Sequence, residues 1–227
     1  RIRRKLTGRR TKKYAEADSN FDPQVLLKTP VYLTGYFQSE KYFKDVEGIL
    51  HTELGFSDRI YDGISEVFAD QIRNYQKQIR ETESVSLHVR RGDYLEHPEI
   101  YGMSCTMEYY QAGVRYIRER HPDAEIFVFT NDPVFTEKWL QENFLGDFTL
   151  IQGTSEETGY LDLMLMSQCK HQIMANSSFS WWGAWLNPNK DKIVVAPEPW
   201  FGDRNFHDIY TEEMIRISPR GEVKKHG

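Results

Sequence analysis

Chemistry that could handle an anion is concentrated in Ser84 to Leu95, which contains the run His88-Val89-Arg90-Arg91-Gly92-Asp93. Arginine presents a rigid fork of donors that matches phosphate oxygens. Two of them in succession place fixed positive charge at the carboxyl end of a strand, where open α/β sheets hold their ligands. A pocket for a phosphorylated ligand is one reading. A surface ion-pair cluster after an ordinary strand is the other, and these residues alone leave both open. Two more polar groups follow short apolar runs: Asn131-Asp132 after Glu125 to Thr130, and Asn176-Ser177-Ser178 after His171 to Ala175. Ser177 and Ser178 open an aromatic segment whose helix N-terminus would favour a phosphate. Asn131, Asp132, Asn176 and Ser178 are equally good N-caps in a purely structural role.

These groups are useful together only if strands bring them to one rim. Val85, Leu87 and Val89 alternate with Ser84, Ser86 and His88, the pattern of a strand with two distinct faces. Further strands are expected at Glu125–Thr130, Phe148–Ile151, His171–Ala175 and Ile193–Ala196. Helices are expected over Met107–Arg120, from Pro133 through Phe144, and over Tyr160–Cys169 and Phe179–Leu186. Upstream, Val31–Phe37 reads as extended, Glu40–Leu50 as an amphipathic helix, and Ile60–Arg80 as a helix leading into the arginine strand. Strand–helix alternation with short apolar strands predicts an α/β protein with a mostly parallel, Rossmann-like sheet covered on both faces. Ligands of such sheets sit at the carboxyl ends of the strands, where all three polar groups fall. The chain is read as a basic arm and linker (1–29), a connecting helical region (30–83) and a Rossmann-like domain (84–227).

The chain has 227 residues, 39% of them hydrophobic and 14% aromatic, which is enough for a substantial core. Eight of the 29 basic residues lie in Arg1–Lys13, which has no acids; the remainder carries 21 basic against 34 acidic residues. An acidic body repels a polyanion, and the arm lacks aromatic residues to stack on bases. This argues against nucleic acid and leaves a linker or a weak contact with an anionic membrane surface. No apolar run approaches the ~20 residues that span a bilayer. With two cysteines and no secretory segment near the start, a reducing, cytoplasmic compartment is expected. There is no Walker loop, Gly-x-Gly-x-x-Gly, Cys-x-x-Cys or His-Glu-x-x-His. Asp-x-Asp, a usual carboxylate handle for a metal-held nucleotide sugar, is also absent. The cluster Trp181, Trp182 and Trp185 reads as core in preference to a sugar platform.

Four blocks resemble the α-1,2-fucosyltransferases of glycosyltransferase family 11. His88-Val89-Arg90-Arg91-Gly92-Asp93 is similar to the family's His-x-Arg-Arg-x-Asp signature, and Phe129-Thr130-Asn131-Asp132 to its second motif. Asp162 to His171, followed by Ala175 to Leu186, resembles the third, and Tyr36 to Phe43 a segment of bacterial members. The resemblance implies a variant of the two-Rossmann-domain (GT-B) architecture. The implied reaction is metal-independent, inverting transfer of L-fucose from GDP-β-L-fucose to the 2-OH of a galactose-containing glycan, with no cofactor. Arg90 and Arg91 would stabilise the leaving diphosphate. Ser177, Ser178 and Phe179 would hold phosphate or ribose, beside Asn176. His88 and Asp162 would face the nucleoside, and Asn131 and Asp132 would line the rim. Asp93 is the first candidate for the general base, or else a positioning partner of the arginines; Glu96 and His97 come next. The glycine-rich segment that opens family members is absent here, and activity is expected of the parent enzyme and not necessarily of this chain on its own. The arginine block is also shared with α-1,6- and protein O-fucosyltransferases, and a non-catalytic GDP-sugar or glycan-binding module is a further alternative.

Overall fold

A computed structural model describes residues 12–27, 31–91, 104–144, 146–202 and 205–224. Asp93, Glu96, His97 and most of the basic arm lie outside the described residues. The chain divides into two compact units, Arg1–Gly48 with Asn205–Thr211, and Ile49–Arg204 with Glu212–Gly227.

In the first unit, β1 (Lys12–Ala15) and β2 (Val31–Thr34) pair in parallel. The Glu16 carboxylate accepts the N–H groups of Tyr36 and Phe37 at 2.7 and 3.0 Å, closing the turn after β2. Residues 205–211 are tied in by Asn20, whose amide donates to the Asn205 carbonyl and accepts from the His207 N–H. The helix expected over Glu40–Leu50 is instead two 3-10 turns followed by a short helix α1 (Glu47–Glu53). Its apolar spacing is helical, but Val46 and Ile49 remain exposed, so no burial stabilises a continuous helix.

The second unit is built on a six-stranded, wholly parallel sheet. Helix α2 (Glu66–Glu81) leads into β3 (Glu83–Val89). It starts later than the expected Ile60 because Gly63, at φ +85°, turns the chain, and Ser65 then caps the helix through the Phe68 N–H. Thereafter come α3 (Met107–Arg118), β4 (Ala124–Thr130), α4 (Pro133–Asn143), β5 (Thr149–Leu150), α5 (Gly159–Gln168), β6 (His171–Ile173), α6 (Ser178–Trp185), β7 (Val194–Pro197) and β8 (Met214–Ile217). The spatial order is β5-β4-β3-β6-β7-β8. β4 and β5 step outward from β3 on one side, and β6, β7 and β8 follow on the other, which is the strand order of the dinucleotide-binding fold. The expected Rossmann-like sheet is present, with β8 added at its edge.

The two faces of β3 are as its alternation requires. Val85, Leu87 and Val89 join a core under α3 and α4 with Tyr109, Ile117, Ile126 and Leu140. On the opposite face Phe127 and Phe129 pack with Ile72, Ile79, Leu161 and Leu165 of α2 and α5. The chain therefore crosses from one face to the other between β3 and β6. Connections leave those two strands to opposite faces, and the carboxyl ends between them are where open α/β sheets form their binding crevice.

Helices α5 and α6 meet at Gly183, where a Cβ would lie 3.0 Å from the Met166 Cβ. Gly183→Ala is expected to destabilise the fold by about 1 kcal/mol, the overpacking strain exceeding the gain in helix propensity. Urea unfolding with an unchanged m-value checks this. Trp181 and Trp185 of α6 are buried, as the core reading of the tryptophans requires, whereas Trp182 is half-buried; His51 stacks on Trp185, ring centroids 4.2 Å apart.

Candidate functional site

In a parallel sheet each helix runs back against the strand before it. The first turns of α4, α5 and α6 therefore return to the rim that holds the carboxyl ends of β3 and β6. The expected site residues fall on that rim. Arg90 and Arg91 follow β3, Asn131 and Asp132 follow β4, Asp162 lies in the first turn of α5, and Asn176 to Phe179 carry β6 into α6.

His88 occupies the central position. Its side chain is buried, its ring centroid lies 5.8 Å from that of Phe179, and its Nδ1 has no hydrogen-bond partner. Burial, aided by the charge of Arg90, pushes its pKa down to about 3, so the imidazole is neutral at pH 7. His88 thus links β3 to the start of α6, and Arg90 is close enough for its charge to act there.

Arg91 takes a different direction from the one expected of a paired clamp. Its backbone N–H donates to Asn131 Oδ1 at 2.9 Å. Its guanidinium stacks on Phe135, with Cζ 3.1 Å from the ring centroid, and Nε lies 3.4 Å from Asp132 Oδ2 without hydrogen-bond geometry. Arg91 therefore faces the β4 side of the rim, with a carboxylate and an aromatic face holding it. Asp132 also caps α4 by accepting the Phe135 N–H at 3.2 Å. Of the two, Asp132 takes the N-cap role and Asn131 does not; Asn131 is held instead by the Arg91 N–H.

At the β6 side, Asn176 is buried and committed to the scaffold. Its amide donates to the Trp200 carbonyl at 3.1 Å, and its oxygen accepts the Cys105 thiol at 3.5 Å. Ser177 caps α6 by accepting the Phe179 N–H, whereas Ser178 is exposed at the first helical position. Asp162 accepts the Thr154 hydroxyl at 3.0 Å through Oδ2, and its Oδ1 is buried without a partner. Burial raises its pKa to about 7. Thr154 and Phe135 have no distinguishing signal in the sequence; they become neighbours of Asp162 and Arg91 only once the loops are placed.

At the opposite rim, Glu83 Oε1 lies 2.9 Å from His171 Nε2 and 3.1 Å from His121 Nδ1, a grouping with the ligand types of a metal centre. However, His171 Nδ1 accepts the Ile193 N–H at 3.0 Å, which leaves the ring proton on Nε2, directed at Glu83. Metal-bound histidines instead donate through their second nitrogen. Lys170 also lies 2.7 Å from Glu83 Oε2 and holds that carboxylate's pKa down. The cluster is a hydrogen-bonded ion network that pins β3 to β6. Cys105 and Cys169 are both free thiols. No helix among the described residues is long and apolar enough to cross a membrane.

The second unit is a doubly wound α/β domain with polar groups collected at its topological switch point, the arrangement of nucleotide-binding domains. The family model for glycosyl transferase family 11 matches residues 6–218, and the chain belongs to that family. It is 36% identical over 203 residues to an alpha-1,2-colitosyltransferase of Escherichia coli, covering 84% of this chain and 64% of the relative. It is 38% identical over 149 residues to the O-antigen biosynthesis glycosyltransferase WbnK of the same organism, covering 63% of this chain and 48% of that protein. Human galactoside alpha-(1,2)-fucosyltransferase 1 is 30% identical over 169 residues, 72% of this chain and 45% of the relative. The chain thus spans about half to two thirds of the length of these relatives.

Proposed function

We propose that this chain binds GDP-β-L-fucose in the crevice between β3 and β6 and acts as the donor half of an inverting, metal-independent galactoside α-1,2-fucosyltransferase. The supporting observation is a set of buried polar atoms without hydrogen-bond partners on one rim: His88 Nδ1, Arg91 Nε and Asp162 Oδ1. Such atoms cost free energy unless something satisfies them, and a bound ligand does so. Asp162 suits guanine, whose N1–H and N2–H donors lie side by side and match the two oxygens of a carboxylate. Neutral His88 offers a ring nitrogen to the nucleoside. Ser178 and the first N–H groups of α6 suit a diphosphate or a ribose.

In this reaction the acceptor hydroxyl attacks the anomeric carbon as the bond to the diphosphate oxygen breaks, so negative charge grows on the leaving group. Arg90, on the His88 side of the rim, meets that charge. Arg91, held by Phe135 and Asp132, maintains the rim's positive potential. The acceptor proton passes to a carboxylate, for which Asp93 remains the candidate.

A colitosyl donor is the second reading, favoured by the 36% relative. A calorimetric and turnover screen in EDTA separates the readings. GDP should bind more tightly than ADP or UDP, and GDP-L-fucose should be consumed with a new α-1,2 linkage. Preference for the corresponding colitosyl donor would select the second reading. No preference for guanine, or transfer abolished by EDTA, would refute the proposal.

A further inference from the structure

The crevice exists because the ladder between the two central strands ends early. β3 and β6 pair through Val85–His171, Ser86–Gln172 and Leu87–Ile173, whereas β3 and β4 stay in register to Val89–Thr130. In a parallel ladder one residue serves one neighbouring strand through both its N–H and its C=O, and successive residues alternate sides. Gln172 and Met174 donate to the carbonyls of Ile193, just before β7, and of Val195 within it, so His171 and Ile173 serve β3. By this alternation, the next rung toward β3 would run from the Ala175 N–H to the His88 carbonyl. The next toward β7 would run from the N–H of residue 197 to the Met174 carbonyl. Residue 197 is proline and has no N–H.

Two adjacent side chains of α3 take both carbonyls. Tyr110 donates its hydroxyl to the His88 carbonyl at 2.8 Å, and Tyr109 donates to the Met174 carbonyl at 2.7 Å, with the Val195 carbonyl at 3.3 Å. Both tyrosines are fully buried. They reach the strands because α3 lies close on the sheet at Gly113, where a Cβ would meet Ile173 Cγ2 at 3.1 Å and Val195 Cγ1 at 3.4 Å.

We propose that Tyr109 and Tyr110 are positioning residues of the donor crevice. By satisfying the His88 and Met174 carbonyls from beneath the sheet, they let β3 and β6 part at the rim. They also hold His88 and the Asn176–Ser178 turn at a fixed separation. That the crevice receives a GDP-sugar rests on the function proposed above; the clasp itself does not.

The test uses Tyr109→Phe and Tyr110→Phe, which delete only the hydroxyls. Each should raise the GDP dissociation constant about tenfold, the effect of one lost buried hydrogen bond transmitted to the site. Each should also accelerate amide exchange at residues 87–90 and 173–178, while the core of α2 exchanges as before. Pro197→Ala restores an N–H opposite the Met174 carbonyl. In that background the effect of Tyr109→Phe should shrink at least threefold, and that of Tyr110→Phe should not change. Unaltered exchange at the rim in both variants, or equal coupling of Pro197 to both tyrosines, would overturn the proposal. Failure of the unsubstituted chain to bind GDP would overturn the donor reading alone, since the exchange and coupling results still decide the clasp.

Discussion

Replacing Arg90 with alanine is expected to lower fucosyl transfer by ~10² or more, mostly in kcat, whereas Arg91→Ala loses only about tenfold. The asymmetry follows from what Arg91 touches and from the reach of Arg90's charge to His88. Arg90 acts electrostatically on His88, which packs on Phe179 at the start of α6. Its charge therefore reaches the β6 side of the rim, where a diphosphate would meet the helix N-terminus. Arg91 is turned to β4, stacked on Phe135 and 3.4 Å from the Asp132 carboxylate. Part of its charge is already compensated, and its removal disturbs the rim more than the leaving group. Arg90→Lys should not restore the rate, because an ammonium lacks the planar fork that engages two phosphate oxygens. Steady-state kinetics in EDTA, with thermal unfolding as a control for folding, reads both effects. Equal losses at the two positions would show that Arg91 leaves Phe135 when donor binds and shares the charge equally.

Much of this architecture is legible from residue order because buried parallel strands are short, apolar and β-branched, and because caps mark helix starts. β3, β4, β6 and β7 are visible for the first reason, and α4 and α6 for the second, through Asp132 and Ser177. β8 is not visible: Met214-Ile215-Arg216-Ile217 has an arginine in its only apolar run, and that arginine is used to pair with Glu198 at 3.1 Å. β1 is polar and pairs by backbone alone, so side-chain patterning carries no trace of it. The polar rim residues can be found because charged groups after apolar runs are conspicuous. Their orientation cannot, because it depends on groups distant in sequence. Nothing local to Arg91 says that it turns to Phe135, or that Asn176 is spent on Trp200. Tyr109 and Tyr110 are hidden for the opposite reason. In a helix they read as two apolar residues of a core, and only the missing proton on Pro197 and the early end of the β3–β6 ladder give their hydroxyls a purpose.

Asp162→Asn is expected to weaken GDP binding by ~10² and to abolish the pH dependence of that binding, because each half of the effect has a separate cause. In the proposed donor site the carboxylate would accept two guanine donors. An amide keeps one acceptor and turns the other position into a donor facing a donor, losing one charge-assisted bond and adding a repulsive contact. The pH dependence arises from burial, which raises the carboxyl pKa to about 7 in the free protein. Guanine requires the ionised form, so binding must expel a proton below that value. The dissociation constant should therefore rise about tenfold for each pH unit below about 7 and level off above it. The same group acts oppositely on stability. Its folded pKa lies above the unfolded value, so the neutral carboxyl is favoured in the folded state at low pH. That contribution is lost as pH rises from about 4 to about 7. Ligand-free protein should therefore lose stability at this site over the interval in which affinity for GDP increases. Calorimetry of GDP binding across pH 5.5 to 8, paired with urea unfolding of the free protein, measures the two together. Binding by the asparagine variant that still followed pH with the same slope would assign the proton to another group and remove Asp162 from guanine recognition.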